Sequence, residues 1–133
     1  MGIQVVWDND EKTIIRYVFD VRWTWDDFYA ARTDAYNLID TVQHKIGVIF
    51  DAPPNVTLPP NMITHSRSAI SKTHENTHVV VVVVGNTYVR AMLTMVRKLS
   101  KKAAEKLELA PTLDEARALV RERLAENPQN RAS

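Results

Sequence analysis

Six consecutive valines, Val79 to Val84, stand directly behind His78. Side chains alternate between the two faces of a strand, so a strand with one wet face would alternate apolar and polar residues. An unbroken β-branched run predicts instead a central, parallel strand from His78 to Val84, covered on both faces. The rest of the chain must supply two layers to cover it.

The flanking patterns supply them. Ile3, Val5 and Trp7 alternate with polar positions up to Asp8. After the polar turn Asp8–Glu11, Ile15, Tyr17 and Phe19 alternate again, which reads as a β-hairpin. Thr24 with Asp27 three residues on resembles a capping box, and Trp25, Phe28, Tyr29, Ala31, Ala35, Leu38, Ile39 and Val42 follow at helical spacing. Ile46 to Phe50 is a second doubly covered strand. Asp51 to Pro60 holds four prolines in two pairs and must be an extended loop. A helix is expected over 61–73, with Met62, Ile63, Ala69 and Ile70 facing inward. Gly85 ends the valine strand, and Asn86-Thr87 cap a helix running to about Lys106, with Val89, Leu93, Val96, Leu99 and Ala103 buried. Leu107 to Ala110 reads as a strand. Thr112 and Glu115 cap a last helix that buries Ala116, Leu119, Val120 and Leu124, and 127–133 reads as a frayed tail. The order is β-β-α-β-α-β-α-β-α, an α/β fold with a mixed sheet: an N-terminal hairpin followed by right-handed crossovers in one domain over residues 1–126.

Composition narrows the function classes. Of the 133 residues 45% are apolar and 25% charged, an ordinary globular balance, and the formal net charge of +1 suggests no nucleic-acid partner. The absence of cysteine removes disulfides, thiol catalysis and thiolate metal sites. No basic segment leads into an apolar stretch at the start, and no apolar run is long enough for a bilayer, so a cytoplasmic protein without an integral membrane segment is expected. Gly2, Gly47 and Gly85 are the only glycines, too scattered for a phosphate cradle, and no nucleotide-binding, serine-hydrolase or zinc-protease motif occurs.

The hairpin, the Trp23-Thr24-Trp25-Asp26-Asp27-Phe28 helix start, the Val48-Ile49-Phe50-Asp51 strand end, the valine strand closed by Gly85 and the final Thr112-Leu113-Asp114-Glu115-Ala116 together resemble the STAS domain. More narrowly they resemble the small bacterial proteins similar to sporulation anti-sigma-factor antagonists. The resemblance spans residues 3–126 and implies a non-enzymatic module that docks a partner, without a cofactor. The antagonists are switched by phosphorylation of a serine at the start of the helix after the third strand. Here that place holds Leu58-Pro59-Pro60-Asn61, so the resemblance does not carry the switch over. If modification occurs, Thr57 and Ser66 are the expected hydroxyls.

A site is expected beyond the C-terminal ends of the parallel strands, where helix N-termini point. That edge collects Asp51, Thr57 and Asn61 from one crossover and Asn86, Thr87 and Arg90 from the next, with Asn86, Thr87 and Arg90 forming an anion seat. The plainer alternative is that Asp51 ties down the proline loop and Asn86 caps its helix. His65, His74, His78 and Glu75 read as structural or solvated rather than metal-binding. The basic residues Arg90, Arg97, Lys98, Lys101, Lys102 and Lys106 read as a solvated helix face. Three functions follow. The first is an interaction module binding a protein partner or a second copy of itself. The second is a carrier of a small anionic or apolar ligand, in a pocket lined by Met62, Ile63, Met92 and Met95. The third is an enzyme using Asp51 or a histidine.

Overall fold

A computed structural model describes residues 2–126; the expected tail over 127–133 lies outside the described residues. Five strands form one mixed sheet: β1 (Ile3–Trp7), β2 (Ile14–Phe19), β3 (Ile46–Asp51), β4 (Thr77–Val83) and β5 (Leu107–Ala110). They lie side by side in chain order, β1 antiparallel to β2 and every later pair parallel. The expected hairpin and parallel succession are therefore present.

The helices are α1 (Trp25–Ile39), α2 (Met62–Ser71), α3 (Thr87–Leu99), α4 (Lys101–Lys106) and α5 (Leu113–Ala125). A sheet built outward in one direction through crossovers of one hand puts all the crossover helices on one face. Residues of α1 to α4 indeed pack in one core with the odd-numbered positions of β1 and β2 and the even-numbered positions of β3 and β4. Among the described residues no strand follows α5. It turns under the sheet and covers β3 and β4 from the other side through Ala116, Val120 and Leu124. Val80, Val82 and Val84 belong to the first core and Val79, Val81 and Val83 to the second, and none of the six exceeds 9% exposure. The valine run is doubly covered, as its sequence requires.

The Thr24–Asp27 capping box forms with both reciprocal bonds. The helix expected to run unbroken to Lys106 does not. Ser100 adopts an extended backbone, and its Oγ accepts the Ala103 N–H at 3.2 Å, starting a new helix. The break reorients the chain, so that Ala103 is fully buried while Leu99, expected inside, is 51% exposed. The basic face is also less free than expected. Lys102 Nζ donates to the carbonyl of Ser71 and Lys106 Nζ to that of Thr77, tying α4 to the ends of α2 and β4.

A buried ion cluster joins the far face. Asp8, at the end of β1, receives Nε and Nη2 of Arg117 from α5 at 2.8 and 2.9 Å. Arg16 Nε on β2 lies 2.9 Å from Asp8 Oδ1, close enough for an ion pair although its N–H is not aimed for a hydrogen bond. Arg16 Nη1 then donates to Asp51 on β3 at 3.1 Å.

Candidate functional site

The strand-end residues are only partly brought together. Asp51 points to the α5 face, where it holds Arg16 rather than the proline loop. Asn86 Oδ1 accepts from the N–H groups of Tyr88 (2.8 Å) and Val89 (3.3 Å), while its Nδ2 donates to the carbonyl of Pro54 at 3.0 Å. Asn86 thus joins the two crossovers, but its own side chain occupies donors that an anion would need. Thr57 is exposed, its N–H donating to the Val21 carbonyl at 2.7 Å. Asn61 starts α2 in the left-handed region (φ 61°), which asparagine tolerates, and makes no side-chain cap bond. Thr87 and Arg90 are exposed in the first turn of α3. Ser66 turns inward, toward a different feature.

That feature is a cavity of about 120 Å³ bounded by the sheet, α1, the proline loop, α2 and α3 and partly open to solvent. Helical spacing explains its walls. Trp25, Phe28, Arg32, Tyr36 and Ile39 fall on one side of α1, and Met62, Ser66, Ala69, Ile70 and Thr73 on one side of α2. Tyr17, Phe19 and Phe50 form the floor, with Val56 and Leu58 of the proline loop at one end. The rings pack edge to face: Tyr17 on Phe50 at 4.8 Å between centroids, Phe19 on Trp23 at 5.0 Å.

Two donors in this apolar wall lack partners. Arg32 Nη1 and Trp23 Nε1 are buried without a hydrogen bond. The Arg32 guanidinium lies 4.8 Å over the Tyr29 ring, a cation–π contact, and no carboxylate pairs with it among the described residues. Burial pushes the Tyr17 hydroxyl well above its ordinary range; Tyr36 pushes the same way and Arg32 opposes both. Burial likewise raises Tyr36, against the pull of Arg32 and a backbone hydrogen bond. Both phenols therefore stay neutral, and neither supplies Arg32 with an anion.

The seam between α1 and α2 is bridged at its ends. Trp25 Nε1 donates to the Pro60 carbonyl at 2.7 Å, and the Tyr29 hydroxyl meets His65 Nδ1 at 2.6 Å, with His65 stacked on Trp25 at 4.5 Å. Further along, the Tyr36 hydroxyl donates to the Lys72 carbonyl, and His74 Nε2 meets Asp40 at 2.8 Å. Between the Tyr29 and Tyr36 bridges, Arg32 on one helix and Ser66 and Ala69 on the other line the cavity. His65 and His74 are thus seam residues. Among the described residues no group of three or more histidine, aspartate or glutamate side chains is placed to share a metal ion.

The pocket expected between Met62, Ile63, Met92 and Met95 is not where the methionines suggested. Met62 lines the cavity, whereas Ile63 packs against the core outside it and Met95 is 49% exposed on the outer side of α3. Arg32 escaped the sequence reading. Its signal was present: position 32 lies four residues after Phe28 and three before Ala35, so a lone charge interrupts the stripe that α1 buries. No helix among the described residues is long and apolar enough to cross a membrane. No family model, no curated protein and no solved structure matches the chain.

Proposed function

We propose that this chain is a non-catalytic binding module of the STAS-like kind, and that it holds one compact apolar molecule in the cavity between the sheet, α1 and α2. The observation that carries this reading is the cavity itself. Its walls are almost wholly apolar, so water held there makes few hydrogen bonds and an apolar ligand displaces it favourably. An apolar cavity of about 150 Å³ holds a benzene ring, so this slightly smaller, partly open space sets a single ring or a short acyl chain as the upper size. On this reading the ligand enters between the Tyr29–His65 and Tyr36–Lys72 bridges, where Arg32, Ser66 and Ala69 line the cavity. A binding rather than catalytic role is supported by the commitments of the reactive groups: Asp51 to Arg16, His65 to Tyr29 and His74 to Asp40.

The test is thermal unfolding of the full chain with single-ring and short-acyl compounds. A ligand held at a hundred times its Kd stabilises by about 2.7 kcal/mol, which raises the Tm by roughly 10 °C for a chain of this size. Ala69→Leu, which puts a larger side chain into the cavity wall, is expected to abolish the rise while the variant stays folded. A Tm unmoved by every compound, or moved equally in Ala69→Leu, rejects the reading.

A second reading, as a protein-interaction module, is supported by a different observation. Tyr88, Met95 and Leu99 are 63%, 49% and 51% exposed and recur at helical spacing along α3. From residue 86 to 106, six basic residues against Glu105 make +5, in a chain whose total is +1. Like charge disfavours pairing of two copies through this face, so the complementary partner is an acidic amphipathic helix. Fluorescence anisotropy with a glutamate-flanked amphipathic peptide is expected to show salt-sensitive binding that Leu99→Asp weakens at least tenfold without changing Tm. Salt-independent binding, or none, rules this face out as that site.

A further inference from the structure

We propose that the cavity's ligand is a compact monocarboxylate, an aromatic or short acyl acid, whose carboxylate is received by the guanidinium of Arg32. This rests on reading the cavity as a ligand site and adds the charge and headgroup of what it takes. Arg32 lies midway along the cavity-facing side of α1, four residues from Phe28 and four from Tyr36, with Nη1 buried and unbonded. A buried lysine or histidine can shed its proton, but arginine cannot. Arg32 as a residue is half-buried, but its Nη1 is sealed from solvent without a partner, and a charged group's donor left unmet in an apolar wall is costly until an acceptor reaches it.

The guanidinium carbon lies 4.8 Å from the centre of the Tyr29 ring, and Nη1 makes no hydrogen bond. The forked edge fits a carboxylate, which it binds through two parallel N–H···O bonds. Among the described residues no lysine and no second arginine lines the cavity. One cation in an apolar cavity balances one negative charge, which favours a carboxylate over a phosphate dianion. The other orphan group, Trp23 Nε1, is also a donor, so both unpaired groups of the wall call for an acceptor. The seam places this head group well: Arg32 stands in the stretch between the Tyr29–His65 and Tyr36–Lys72 bridges, so a ligand entering ring-first would leave its carboxylate at the guanidinium.

The test titrates the full chain with benzoate and hexanoate and with their neutral amides, following amide and indole N–H resonances by NMR. Each acid is expected to bind at least tenfold more tightly than its amide, with the Trp23 indole signal shifting on binding. Arg32→Met keeps the apolar stem and should bring acid and amide to within twofold of each other. Arg32→Lys, which keeps the charge and loses the fork, should fall between. Equal binding of acid and amide in the unaltered protein, or a preference that survives in Arg32→Met, overturns the assignment of Arg32 while the cavity still binds. Failure of all four compounds to shift cavity resonances overturns the cavity reading and this inference with it.

Discussion

Replacing Asp8 by alanine is expected to destabilise the protein by about 3 kcal/mol, at the lower end of what breaking a buried ion pair costs. The Asp8 side chain is 2% exposed and faces two arginines at once. Among the described residues its removal leaves Arg16 paired with Asp51 and Arg117 with Asp114, and Asp114 is almost fully solvated. The arginine side chains are 25% and 29% exposed, so water recovers part of the loss, which keeps the effect from the upper end of the range. The same cluster sets an acid limit on stability. Burial alone would raise the Asp8 pKa, but the Arg117 hydrogen bonds and the charges of Arg117 and Arg16 outweigh it, so the net shift is downward. A carboxyl with a lowered native pKa contributes stability that is complete above its unfolded pKa, about 3.9. That contribution is lost as pH falls through the lower native value. Urea denaturation at pH 7 and at intervals below pH 5 should show a steep acid loss in the unaltered protein and a shallower one in Asp8→Asn. A cost below about 1 kcal/mol in Asp8→Ala, or parallel pH profiles, would falsify this account of the cluster.

Gly47→Ala is the second change expected to matter strongly, and for a steric reason. A Cβ on Gly47 would lie 2.3 Å from Val120 Cγ1 on α5, far inside contact distance. Val120 is fully buried, and a β-branched side chain in a helix has essentially one χ1 rotamer, so it cannot swing aside. The helix itself must shift, loosening Ala116 and Leu124 against Ile49, Val81 and Val83. Overpacking of this kind costs roughly 2–3 kcal/mol. Val120→Ala alone leaves a void and also destabilises. In Gly47→Ala with Val120→Ala, the new methyl occupies space the valine vacated, so the double variant should lose at least 1 kcal/mol less than the sum of the two. Additive losses, within about 0.5 kcal/mol, would show that α5 does not make its closest approach at Gly47.

These two sites show how much of the molecule was legible before its structure. The valine run, the alternation on either side of Asp8–Glu11 and the caps at Thr24 and Thr112 are local signals: each depends on residues within a few positions of one another. They specify element type and which strands are buried on both faces, and the strands and helices formed where they said, apart from the helix break at Ser100. There a side-chain cap at Ser100 competed with continuation of α3, and the apolar stripe through Leu99 and Ala103 looked continuous without being so.

The site was less legible, because it is made by long-range packing. Asp51 looked like a strand-end ligand, but strand parity sends its side chain to the α5 face, where Arg16 waits on the neighbouring strand. Arg32 looked like any helix arginine until α1 was laid over Tyr17 and Phe50 with α2 alongside, which turned its charge into an unpaired group in an apolar wall. By itself the sequence determined the α/β succession, the doubly covered valine strand and the aromatic content of the first layer, since periodicity and propensity act over neighbouring residues. Only the tertiary structure decided that the aromatic rings would meet edge-on around a cavity, that Asp8 would bind two arginines across the sheet, and that Gly47 would admit α5. Those outcomes depend on which distant side chains share a volume, and that is settled by how the layers pack.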